Sequence, residues 1–89
     1  MRGVFKALSD PTRREILMLL NKKDMTAGDI AEQFAISKPA ISKHLEILRE
    51  AELVSSEKKG LYRIYSINLT VLQEGLTNFM TLFEKENNQ

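Results

Sequence analysis

Thr26-Ala27-Gly28-Asp29-Ile30-Ala31-Glu32-Gln33-Phe34, followed after two residues by Ser37-Lys38-Pro39-Ala40-Ile41-Ser42-Lys43-His44-Leu45, is the stretch that decides the fold. Thr26 with an acid three positions later has the spacing of a capping box, which satisfies free amides at a helix start. Ile30, Ala31 and Phe34 give that short helix an inward face. Ala35-Ile36-Ser37 interrupts it. Ser37 then caps a second helix, and Pro39 sits in its first turn, where an N–H would have no partner anyway. Ile41, Leu45 and Leu48 recur at i, i+4, i+7 along one face, which requires a core on that side. The second helix runs to about Ala51. Two short helices joined by a turn of a few residues are a helix-turn-helix candidate.

The flanks extend the pattern. Val4, Phe5 and Leu8 make one or two apolar helical turns. Ser9-Asp10-Pro11 reads as a helix start, and Ile16, Leu17, Leu19 and Leu20 form the stripe of the helix that follows, ending near Asn21. After the second helix of the pair the period changes. Leu53–Glu57 and Leu61–Ile67 read as strands, the latter rich in aromatic and β-branched residues. Lys58-Lys59-Gly60 supplies the turn, with Gly for a positive φ. Leu69, Leu72, Leu76, Phe79, Met80 and Phe83 then recur at steps of three and four, predicting a long amphipathic helix. The fold class is mainly α with a β-hairpin wing: a winged helix-turn-helix in the order α-α-α-α-β-β-α, dimeric, with residues 1–89 as a single domain.

Composition bounds the function. Eighty-nine residues suit one domain, and a core this small often gains stability from a second copy. The absence of cysteine removes disulfides, thiolate nucleophiles, Fe–S clusters and cysteine-based zinc sites. The longest apolar run, Ile16–Leu20, is too short to span a bilayer, and the opening residues do not resemble a signal peptide. A cytoplasmic location is expected. The net charge of +1 conceals an asymmetry. Residues 1–67 hold 12 Lys and Arg against 9 Asp and Glu, while residues 68–89 hold 1 against 3. Ser37–His44 and Lys58–Arg63 contain basic residues and no acid, a pattern suited to phosphate.

In a helix-turn-helix the second helix enters the major groove and its N-terminal residues reach base edges. Ser37, Lys38, Ser42 and Lys43 are donors there, and the helix dipole favours phosphate at the same end. Lys58, Lys59 and Arg63 would bring the wing to backbone or minor groove. Thr12 and Arg13, near a helix start, are weaker phosphate candidates. His44 has two readings, a packed side chain beside the recognition surface or a phosphate contact, and packing is preferred. The last helix either closes the monomer core or builds an interface; its length favours the interface. No paired catalytic acids, Gly-rich phosphate loop or nucleophile constellation points to an enzyme or a small-molecule substrate.

Ala7-Leu8-Ser9-Asp10-Pro11-Thr12-Arg13-Arg14-Glu15-Ile16-Leu17 resembles the opening signature of ArsR-type winged-helix repressors. Asp29-Ile30-Ala31, Ser37 to Leu45, Leu48 to Val54, and Lys59-Gly60 followed by Tyr65 continue the resemblance in order. It is most similar to the compact autorepressors of that family. The resemblance implies a homodimer on a partly palindromic stretch of double-stranded DNA, repressing transcription, its own operon included. It implies base contacts from Lys38, Ser42 and Lys43, with Ser37, Pro39 and His44 close by. It implies dimerisation through the first and last helices, by Val4, Phe5, Leu8, Leu72, Leu76, Phe79, Met80 and Phe83. A membrane protein that sequesters the repressor is a further implied partner. The alternative is a winged helix that docks protein rather than DNA. Metal-sensing branches carry Cys-x-Cys before the recognition helix, or Asp, His and Glu across the last helices. Here residues 26–33 hold no thiolate and the last helix no histidine, so no metal or other cofactor is expected.

Overall fold

Side-chain caps set where three of the helices begin. The computed structural model describes residues 3–87, with side chains through Glu84. Helix α1 (Val4–Leu8) is followed by α2 (Pro11–Lys22), whose N-cap Asp10 accepts from the amides of Thr12 and Arg13 at 2.8 and 3.2 Å. Strand β1 (Met25–Thr26) leads into α3 (Ala27–Glu32). The Thr26 hydroxyl accepts from the Asp29 amide at 3.0 Å and the Asp29 carboxylate from the Thr26 amide at 3.3 Å, a reciprocal capping box. Helix α4 (Lys38–Glu50) is capped by Ser37. Strands β2 (Val54–Lys59) and β3 (Tyr62–Ile67) form the wing, and α5 (Leu69–Asn87) ends the described chain.

The end of α4 is closed by a Schellman motif. The Glu52 amide donates to Arg49 O at 2.9 Å and the Leu53 amide to Leu48 O at 3.0 Å. Glu52 takes φ 62°, a left-handed conformation that glycine adopts more readily. Leu48 and Leu53, both fully buried, make the apolar contact that accompanies the motif. This closure reverses the chain and aims β2 back along α4.

The core gathers Ile16, Leu17 and Leu20 from α2, Ile30 from α3, Ile41, Leu45 and Leu48 from α4, and Leu53 and Val54 at the wing base. These are the periodic apolar positions of the sequence, brought together by the three helices and the hairpin.

Three sequence expectations change. The sheet has three strands in the order β1-β3-β2, all antiparallel, with Met25 opposite Tyr65 and Thr26 opposite Ile64. A two-residue strand has no period to read, so β1 was hidden within the start of α3. The turn is also displaced: Lys58 pairs with Arg63 and Lys59 with Tyr62, leaving Gly60-Leu61 as the loop. Gly60 supplies the positive φ, 62°. Finally, Val4, expected at the dimer interface, is 1% exposed and lies in the core of the single chain. The short α1 docks by one side, so only its opposite side is left for a partner.

Candidate nucleic-acid interface

Helix α4 turns Ile41, Leu45 and Leu48 inward, which leaves Ser37, Lys38, Pro39, Ser42 and Lys43 exposed at its N-terminal end. Across from them stands the wing. Alternation along the hairpin puts Ser56 and Lys58 on one face with Arg63 and Tyr65. Arg63 and Tyr65 line the same cleft as Lys38 and Ser42, about 370 Å³ in volume, with Thr26 and Gly28 at its floor. The expected Lys38, Ser42 and Arg63 therefore come together. Neither Lys58 nor Lys59 lines the cleft; Lys59 lies on the other strand face with Glu57 and Tyr62, although Tyr62, beside the loop, does reach the cleft.

The wing carries a charge pattern suited to an anion. Lys58 and Arg63 are directly opposed cross-strand partners, and like charges in that position repel. Arg63 is steadied by donating to the Ser56 hydroxyl at 3.0 Å. A phosphate beside this pair relieves the repulsion. Thr26 and Tyr65, not among the expected site residues, share the cleft because β1 pairs with β3. Their only signal was the aromatic strand; the pairing that delivers Thr26 had none.

His44 and Arg13 have different roles from the exposed residues. Arg13 is 8% exposed. Its Nε donates to Ala7 O at 2.8 Å, Nη2 to Lys6 O at 3.0 Å, and Nη1 lies 3.2 Å from His44 Nδ1. The guanidinium is thus occupied inside the fold and is not a phosphate ligand. His44 is half-buried. Asp10 completes the cluster, 4.0 Å from Arg13 Nη1. Partial burial works to raise the Asp10 pKa, but the Arg13 and Thr12 amides and the Arg13 charge outweigh it, holding the carboxyl below its ordinary value. Thr12 is half-buried beside it.

Along α5 and α1, Phe5, Leu76, Phe79, Met80 and Phe83 are 40–57% exposed. Phe79 packs between Phe5 and Phe83, with ring centroids 5.0 and 5.1 Å away. Leu8 and Leu72 are half-buried against the core. Among the described residues no three His, Cys, Asp or Glu side chains converge in a way that could hold a metal ion, and no helix is long and apolar enough to cross a membrane.

A capped helix pair, an exposed polar N-terminal end on its second helix and a basic hairpin beside it define a winged helix-turn-helix regulator. The profile of the bacterial regulatory protein, arsR family, matches residues 10–56. The chain is 56% identical over 88 residues to the transcriptional repressor SdpR of Bacillus subtilis (strain 168), covering 99% of this chain and 98% of that one. It is 42% identical over 65 residues to the arsenical resistance operon repressor of Staphylococcus xylosus, covering 73% of this chain and 62% of that one. Among solved structures it is similar to an ArsR-like transcriptional regulator from Rhodococcus sp. RHA1, with TM-score 0.87, 34% identity, and 97% and 81% of the two chains covered. The chain belongs to the arsR family of bacterial regulatory proteins.

Proposed function

We propose that the chain is a sequence-specific transcriptional repressor that binds a partly palindromic operator as a homodimer and blocks transcription, its own operon included. The observation that carries this reading is the acid-free, exposed N-terminal end of α4 set across a cleft from Arg63 of the wing. Ser37, Lys38, Pro39, Ser42 and Lys43 face the major groove. Lys58 and Arg63 hold flanking phosphate, with Lys59 on the outer side of the wing. Half-sites about 34 Å apart fit two recognition helices related by a two-fold axis. The exposed faces of α5 and α1, centred on Phe79, join the two copies, with Leu8 and Leu72 at the margin. The protein is non-enzymatic and acts in the cytoplasm, where the chromosome is. A sequestering membrane protein is an expectation of the resemblance to autorepressors alone, and a co-purification with the membrane fraction tests it.

Binding to the DNA upstream of its own coding sequence, measured at several salt concentrations, tests the reading. The native protein prefers that DNA over unrelated sequence. Ser42→Ala combined with Lys43→Ala lowers the preference and flattens the salt dependence, because fewer counterions are released. Unchanged preference and slope would exclude α4 as the reading element.

A further inference from the structure

We propose that Arg13 and His44 are positioning residues for DNA binding: a buried clamp that fixes the recognition helix against the short α1 helix at the dimer face. This rests on the reading that α4 enters the groove. The Arg13 guanidinium donates to two carbonyls at the end of α1, Ala7 O at 2.8 Å and Lys6 O at 3.0 Å. These belong to the last turn of α1, where a cation is favoured; Lys6 O also accepts from the Ser9 amide at 3.2 Å and the Ser9 hydroxyl at 2.7 Å. Its remaining Nη1 reaches His44 Nδ1 at 3.2 Å, on α4 and 31 residues away in sequence. One planar group therefore joins α1, α2 and α4. Arginine offers only donors, so Nδ1 accepts and the ring proton sits on Nε2. His44 follows Ser42 and Lys43 directly but lies on the inner flank of α4. Holding its ring sets where α4, and with it those two residues, stands relative to α1.

The geometric consequence appears only in the dimer. Phe5 of α1 packs against Phe79 of α5 within the chain, so α1 is continuous with the exposed apolar face through which the two copies are proposed to meet. A recognition helix tied to α1 keeps a fixed distance and angle to its counterpart. Releasing it leaves each reading head intact and loosens their mutual spacing. That costs affinity on a complete palindrome and spares a single half-site.

His44 is the only histidine, so its imidazole nitrogens give unambiguous NMR signals without DNA. In samples held above the ordinary imidazole range, the expected result is a ring proton on Nε2 and an Nδ1 signal that moves in Arg13→Lys. A proton on Nδ1, or an Nδ1 signal indifferent to Arg13→Lys, overturns the clamp. DNA titrations then compare His44→Leu, which removes the acceptor, with His44→Asn, whose amide oxygen stands near the Nδ1 position. His44→Leu weakens binding to the palindrome by about tenfold, the worth of one hydrogen bond to a charged group. Half-site affinity and salt slope stay at native values, and preference between operators differing by one base pair of spacing relaxes. His44→Asn recovers most of the loss. Equal affinity of His44→Leu and native protein on the palindrome overturns the positioning role. So does a salt slope lowered by about one in both variants, since that marks a direct phosphate contact. If the native protein shows no operator preference while the NMR signature is present, the DNA-binding reading fails and the clamp itself stands.

Discussion

Phe83→Ala tests the dimer face quantitatively. Phe83 is 49% exposed in the single chain and touches Phe79 edge-on, near the end of the described side chains. About half of the ~200 Å² presented by an aromatic ring, or ~100 Å², is therefore free for a partner. At ~25 cal/mol per Å² this corresponds to ~2.5 kcal/mol per copy and ~5 kcal/mol for a two-fold interface. Incomplete burial, and the methyl group retained by alanine, reduce the realised loss to ~2–3 kcal/mol. The dimer dissociation constant should rise ~30- to 150-fold. Sedimentation equilibrium over a concentration series measures it. Circular dichroism of the same samples should show the helices intact, because Phe83 contributes nothing to the core cluster. An unchanged dissociation constant would place the interface elsewhere, and a native protein that is monomeric at micromolar concentration would remove it.

Glu52→Gly should raise stability by about 0.5–1 kcal/mol in urea unfolding, since glycine adopts the left-handed conformation at lower cost, partly offset by a freer unfolded chain. Acid unfolding should follow Asp10: its depressed carboxyl stabilises the fold fully above the ordinary Asp range, and that contribution is lost as pH falls through the folded value. Asp10→Asn keeps a capping oxygen but should flatten this part of a melting-temperature series taken from neutral pH to about pH 2, whereas an unaltered acid limb would exclude Asp10 as its source. In DNA titrations Lys58→Ala should reduce the salt slope by about one, and Lys59→Ala by less, because only Lys58 shares the face of Arg63. Equal slopes for the two variants would refute that assignment of faces.

The helices were legible because their signals are local. Asp10, Thr26 and Ser37 cap the elements they were expected to cap, and Ile41, Leu45 and Leu48 face inward at the predicted spacing. The recognition surface followed directly, since whatever lies opposite a buried stripe is exposed. The wing was legible as two strands but misplaced in its turn. Lys58-Lys59-Gly60 and Gly60-Leu61 both offer a glycine to the loop, and the register is fixed by pairing with β3 rather than by the turn alone. The two wing lysines consequently went to opposite faces, which composition could not distinguish.

By itself the sequence determined the order of elements, the inward stripes, the polar end of α4 and the absence of cysteine chemistry, since each depends on nearest neighbours or on residue type. Only the tertiary structure decided that Arg13 is internal, that His44 is held by it, that Thr26 shares a cleft with Tyr65, and that Val4 belongs to the core. Each of these rests on contacts between residues distant in sequence or on which side of a short helix docks. A buried arginine and a surface arginine have the same letter; the carbonyls at the end of α1 and the ring of His44 make the difference.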